Sequence, residues 1–151
     1  MEITEIRESV TAEQAALLVP IFREAFKTLP TESFLDRLNE KNGLSLLLAY
    51  ETGRLVGFKV GYTLFRGIFF SWLGAVDSRH QRLGVARRLV RHQHRLCLER
   101  GDREIQTESA GTNQAMLILN LQEGFEVSGI HLGHGEALTV QLRKPLGERM
   151  K

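Results

Sequence analysis

The 151 residues are 42% hydrophobic and 25% charged, with a formal net charge of +2, which is ordinary for a globular chain of one domain. No run is apolar for the roughly 20 residues a membrane helix needs, and the acidic, polar start lacks a basic-then-apolar leader. No membrane association and a cytoplasmic location are therefore expected. The one cysteine, Cys97, excludes an internal disulfide and a cysteine-rich metal site.

Residues Glu2 to Glu8 alternate imperfectly around Ile3 and Ile6 and read as a short first strand. Thr11 with Gln14 forms a capping-box pattern. Ala15, Leu18, Phe22 and Phe26 then recur at helical spacing, and Pro20 should kink or split that helix. Pro30 ends it. Thr31 opens a second short helix that uses Phe34, Leu35 and Leu38, closed by Gly43. Leu44 to Tyr50 is an apolar run of strand length. A turn at Glu51-Thr52-Gly53-Arg54 leads to a returning strand, Leu55 to Leu64, where Gly57 and Gly61 leave room for another backbone. After Arg66-Gly67, Ile68 to Val76 is apolar throughout, as expected of a strand buried on both faces.

The strongest helix runs from about Gly84 to Arg100, with Val85, Ala86, Leu89, Val90, Leu96 and Cys97 as its inner face and Gly101 as its stop. Next comes a strand with Ile105 and Thr107 on one face and Glu104, Gln106 and Glu108 on the other. Thr112 or Asn113 caps a helix to Glu123 that carries Met116, Leu117, Leu119 and Leu121, and Gly124 ends it. Phe125 to His131 and Ala137 to Leu142 make two last strands joined across Gly133 and Gly135. Hairpin-linked strands followed by alternating helices and strands give an α/β chain with a mixed sheet, a single domain over 1–151.

Arg79, Arg82, Arg87, Arg88, Arg91, Arg95, Arg100 and Arg103 form a basic zone that suits a phosphate-bearing partner or is a solvated helix face. Nucleic acid is not the expected partner, because interleaved aromatics are missing. The segment Val76-Asp77-Ser78-Arg79-His80-Gln81-Arg82-Leu83-Gly84-Val85-Ala86 joins a buried strand to a helix start. Such a start offers unpaired N–H groups and a positive dipole end to an anion. Gly84 permits close approach or positive φ, Ala86 is small, and Arg82 and Arg87 can add charge. Neither a Walker loop nor Gly-x-Gly-x-x-Gly is present.

Here the sequence resembles the GNAT N-acetyltransferase superfamily. Gln81-Arg82-Leu83-Gly84-Val85-Ala86 matches its Gln/Arg-x-x-Gly-x-Gly/Ala signature, and Thr112 to Phe125 looks like its second motif. The resemblance implies a mixed, mostly antiparallel sheet of six to seven strands with about four helices. It implies acetyl-CoA as cosubstrate and transfer to an amine by direct attack. Gly74, Ala75 and Val76 would pair with the pantetheine arm. Backbone amides from Arg82 to Arg87 would hold the pyrophosphate, and Asn113 would contact the cofactor beyond the thioester. For Gly74 and Asn113, strand packing and helix capping are the plainer readings and are compatible with contact.

Glu108 matches a position where some members carry a glutamate base; the bland reading is a surface carboxylate. Many members supply a tyrosine acid four residues before the Gly-Phe pair, and this chain has Asn120 there. Asn120 has no proton to give at neutral pH but can donate a hydrogen bond to sulfur. Tyr62 is a candidate substitute that nothing in the sequence places. The five histidines form no metal pattern, so no metal is expected. His131 and His134 sit near the final turn, where they could line an acceptor site. Trp72 and Cys97 read as core. Glu24, Glu32 and Asp36 offer acidity to a cationic amine, and small molecules and peptides both stay open as acceptors. A homodimer is an analogy only. The alternative is a non-catalytic coenzyme A-binding sensor or assembly module.

Overall fold

The computed structural model describes residues 1–133 and 137–147. His134, Gly135 and Glu136, in the expected final turn, lie outside them. Strand β1 (Glu2–Arg7) leads to helices α1 (Ala12–Ala16), α2 (Val19–Phe26) and α3 (Phe34–Asn39). Three strands follow, β2 (Ser45–Glu51), β3 (Arg54–Phe65) and β4 (Ile68–Val76). Then come α4 (Val85–Glu99), β5 (Glu104–Ala110), α5 (Gln114–Gln122), β6 (Glu126–Leu132) and β7 (Leu138–Pro145). The Thr11–Gln14 capping box forms. Pro20 splits the first helix rather than kinking it. It sits in the first turn of α2, where its missing N–H costs nothing. The described residues thus hold five α-helices where about four were expected.

The seven strands form one sheet in the order β1-β2-β3-β4-β5-β7-β6. Every neighbouring pair is antiparallel except β4 and β5, which run parallel. That parallel ladder is short: Ile68–Ser71 against Glu104–Thr107. Both strands continue beyond it, β4 to Val76 and β5 to Ala110, without pairing to each other. The sheet is therefore split along half of β4. Just where the split begins, β4 carries a bulge. Val60 faces Leu73 and Gly61 faces Ser71, so Trp72 has no partner on β3. The extra residue shifts the alternation of β4 by one.

The split corrects one expectation. Continuous apolarity in β4 suggested burial on both faces, but Trp72 to Val76 are only half-buried. The apolar residues there border an opening instead of a neighbouring strand.

Helices cover both faces. On one, α2 and α3 bring Leu18, Ile21, Phe34 and Leu38 onto Leu46, Leu48, Phe58 and Val60. On the other, Val85 and Leu89 of α4 meet Leu47, Ala49 and Val56, and Cys97 meets Phe69, Ile105 and Leu142. Each fully buried leucine stabilises the fold by roughly 1.5–3 kcal/mol. The glycines of β3 make way for both backbone and side chains. A Cβ at Gly57 would lie 3.2 Å from the Ala75 carbonyl oxygen and 3.1 Å from Val85 Cγ1, and one at Gly61 would lie 2.5 Å from the Phe70 carbonyl oxygen and 2.4 Å from the Phe69 ring. No helix among the described residues is long and apolar enough to cross a membrane.

Candidate functional site

A cavity of about 720 Å³ lies behind the split, between the end of β4, the start of α4 and the length of α5. Its wall includes Gly74, Ala75 and Val76 on β4, then Gln81, Arg82, Gly84, Val85, Ala86 and Arg87, with Asn113 and Met116 on α5. The structure thus brings together all the expected cofactor residues but one. Leu83 is 69% exposed and is not part of the wall.

The loop that shapes this wall is built by Asp77, whose N–H donates to the Val56 carbonyl. Its carboxylate accepts from the Arg79 N–H and lies 3.7–3.8 Å from Arg54, Arg79 and His80. The Gln81 amide donates back to the Val76 carbonyl, closing the loop at 3.3 Å. Arg82 and Gly84 both take left-handed backbone, at φ 65° and 82°. Gly84 caps α4 without a side chain, and the first intrahelical bond is from Arg88 N–H to the Gly84 carbonyl. The N–H groups of Val85, Ala86 and Arg87 therefore have no helical acceptor and open at the cavity wall.

The basic zone is largely taken up by ion pairs. Arg87 and Arg91 both bind Glu123 at 2.6 Å, and Arg87 also reaches Gln122. The Arg91 hydrogen bond first, and Arg87 with it, hold the Glu123 carboxyl below its usual range. The Arg87 side chain is thus tied to the end of α5 rather than aimed at a ligand. Arg100 pairs with Glu5, and Arg82 and Arg88 carry no ion pair among the described residues. Asn113 acts as the α5 cap, its Oδ1 accepting from Met116 N–H at 3.3 Å.

The opposite face of the split carries a second constellation. The β4–β5 ladder ends at Ser71–Thr107, one residue before Trp72 and Glu108. Ile105, Thr107 and Ser109 are buried, so Glu108 belongs to the other, open face of β5. His131 Nε2 lies 3.8 Å from the Glu108 carboxylate. Trp72 packs edge-on against Tyr62 at 5.7 Å, with Phe34 at 6.3 Å. Burial, then the Glu108 charge, push the Tyr62 hydroxyl above its ordinary range. The Arg37 guanidinium sits 5.2 Å from the Trp72 ring, and the Lys41 ammonium sits 4.7 Å from Tyr62 and 5.1 Å from Trp72. Neither cation has a carboxylate partner among the described residues.

Asn120 is buried on α5, 3% exposed, and its side chain makes no hydrogen bond among the described residues. Of the acidic candidates for an acceptor, Glu24 accepts from the Ser78 N–H and so braces the loop after β4. Sequence reasoning passed over Lys59. It is 6% exposed on β3, it lines the cavity, and burial lowers its ammonium to about 8. Its signal was present in Gly57-Phe58-Lys59-Val60-Gly61, where a lysine stands between two glycines on a core strand.

The sequence profile of the acetyltransferase (GNAT) family matches residues 12–119. The chain belongs to the GNAT acetyltransferase family. It is an acetyl-CoA-dependent enzyme by that membership, and its seven-stranded split sheet is the GNAT fold. No curated relative matches the sequence. Among solved structures, this GNAT chain is similar to the ribosomal-protein-S18-alanine N-acetyltransferase of Escherichia coli. Identity is 19% and the TM-score 0.79, over 98% of this chain and 99% of that one. It is similar to Ard1 from Thermoplasma volcanium at 18% identity and TM-score 0.82, over 98% and 100%. It also resembles an aminoglycoside 6'-N-acetyltransferase complexed with coenzyme A, at 13% identity and TM-score 0.82, over the whole of both chains. At these identities the likeness speaks for the fold.

Proposed function

We propose that this GNAT enzyme transfers the acetyl group of acetyl-CoA directly to an amine that arrives from the α2–α3 face. The observation that carries the reading is the split itself. The β4–β5 ladder ends just before Trp72 and Glu108, and the β4 residues that follow, Gly74, Ala75 and Val76, line the large cavity. On this reading the thioester lies across that gap. The unpaired edge of β4 at Gly74, Ala75 and Val76 accepts the pantetheine amides as an added strand. The amides of Val85, Ala86 and Arg87, at the positive end of α4, take the pyrophosphate. Asn113 stands at the mouth beside them.

A lysine-like amine has a pKa near 10.4, so well under about 1% is free base at pH 7. Glu108, within reach of the opening and beside His131, takes the proton as the nitrogen attacks. A main-chain N–H on the open edge of β4 meets the developing oxyanion. Asn120 has no proton to give and, buried on α5, is not part of the cavity wall. Arg37 and Lys41, held over aromatic rings without carboxylate partners, favour an acceptor with an anionic group near its amine. Small molecules and peptide termini both fit that description.

The test is a panel of anionic, neutral and cationic amines with acetyl-CoA, read by thiol release and by mass of the product. Acetylated product is expected, with anionic members ahead by about tenfold or more, the scale of one charge-assisted hydrogen bond. Tight acetyl-CoA binding without transfer to any amine would move the chain to the alternative class, a coenzyme A-binding sensor.

A further inference from the structure

Lys59 is an anomaly in the fold. It is a charged side chain, 6% exposed, with no hydrogen bond or ion pair among the described residues. Such a group costs stability unless it is paired, so its place here calls for a role outside folding. Its surroundings are equally unsatisfied. On α4, both amide atoms of Gln93 and Nε2 of His94 are buried without a partner. His94 Nδ1 faces the Lys144 ammonium at 2.8 Å, so Nδ1 accepts and the orphaned Nε2 carries the proton.

The backbone shows where Lys59 reaches. It stands opposite Gly74 in the β3–β4 ladder. A Cβ at Gly74 would lie 3.5 Å from Lys59 Cγ. With no side chain there, the lysine stem passes over β4 toward the split and lines the cavity. The charge of Lys59 is felt at His94 on the far side of the split, alongside that of Lys144 on β7. Gly74 is also the first of the three β4 residues at which the cofactor is placed above.

We propose that Lys59 donates the proton to the coenzyme A thiolate as the acetyl group leaves, the task for which Asn120 has no proton. The inference rests on the transfer reaction proposed above. The amine nitrogen attacks the thioester carbonyl carbon, and the C–S bond breaks with its electron pair on sulfur. A proton moves from Lys59 Nζ to that sulfur, leaving a neutral lysine that is reprotonated from solvent. The proton balance is favourable. An ordinary thiol has a pKa near 8.5, and Lys59 titrates at about 8 through burial alone, so donor and acceptor are closely matched. The titratable or charged groups that share the cavity wall with it are His80, Arg82 and Arg87, and His94 on α4, with Lys144 of β7 beside it, feels its charge. None of them is bonded to it.

Lys59→Met keeps the stem and removes the proton, and Lys59→Arg keeps the charge without a proton to give. Acetyl-CoA affinity is measured by calorimetry, and kcat is measured with acetyl-CoA and with acetyl-seleno-coenzyme A, whose selenol leaves far more readily. Lys59→Met should bind acetyl-CoA within about threefold of the parent and lose about 100-fold in kcat. With the seleno analogue the loss should shrink to about threefold. Lys59→Arg should show a similar leaving-group dependence and lose the fall in kcat above pH 8 that marks lysine deprotonation. Unchanged kcat in a Lys59→Met protein that binds acetyl-CoA would overturn the proposal, as would an equal loss with both thioesters. A parent enzyme that acetylates no amine would instead sink the transfer reading, and this assignment with it.

Discussion

At the residue scale the chemistry divides between the two faces of one opening. Glu108 sits on the proposed acceptor face with His131 at 3.8 Å, and its replacement is the direct test of a base. Glu108→Gln should leave acetyl-CoA affinity unchanged and lower kcat by 100-fold or more, about 3 kcal/mol of barrier. Unchanged turnover would remove Glu108 from the mechanism. His94 gives a prediction about stability. Burial first, then Lys144 and Lys59, lower its imidazole from 6.5 to about 3. Between those two values the unfolded chain binds the proton and the folded chain does not. Stability therefore falls as pH drops from 6.5 toward 3, by about 5 kcal/mol if His94 acts alone. Denaturant titrations of His94→Phe against the parent should show a shallower acid slope in the variant.

At the element scale, the turn between β4 and α4 lines the cavity and is the proposed seat of the pyrophosphate. Gly84 has φ 82° and open space where a Cβ would stand. Gly101 after α4 has φ 88° and equally open space, but is not in the wall of this cavity. Alanine at either should cost about 1–2 kcal/mol through left-handed strain, lowering Tm by a few degrees. Only Gly84→Ala should weaken acetyl-CoA binding, by tenfold or more. Equal affinity in the two variants would detach the turn from the cofactor.

The elements were legible where periodicity was local. The capping box at Thr11, the break at Pro20, the α4 stripe through Val85, Leu89, Val90 and Cys97, and the two-faced β5 can all be read from neighbouring residues. The split was not legible, because an apolar run such as Leu73-Gly74-Ala75-Val76 looks the same beside a strand or a ligand cleft. Nor was the polar cluster under α4. Gln93 and His94 fall between Val90 and Cys97 on the inner face, so the helical period alone puts them inside. Lys144, which meets His94, and Lys59, which shares its electrostatic surroundings, come from distant strands. Of the turn motif from Gln81 to Ala86, every residue but Leu83 lines the cavity.

At the scale of the whole molecule, a seven-stranded sheet is opened along β4 by one bulge and one short parallel ladder. Helices α4 and α5, with Ala25 and Phe26 of α2, line the large cavity, and the proposed acceptor side lies under α2 and α3. The unpaired Lys59 is the cost of this arrangement. Its pKa falls from 10.5 to about 8, so its charged form destabilises the fold by about 3 kcal/mol below pH 8. That penalty fades between pH 8 and 10.5, where the unfolded chain holds the proton and the folded one does not. Lys59→Met should therefore melt higher than the parent at pH 7 and lose that advantage toward pH 10.5.

All of this chemistry requires acetyl-CoA to lie in the split with its thioester between the two faces. A crystal structure with acetyl-CoA would decide it. Pantetheine should pair with the main chain from Gly74 to Val76, and pyrophosphate oxygens should lie within hydrogen-bond distance of the Val85, Ala86 and Arg87 amides. The thioester should stand beside Trp72, open to Glu108. A cofactor bound outside the split, or with its pyrophosphate away from the start of α4, would contradict this placement and the mechanism built on it.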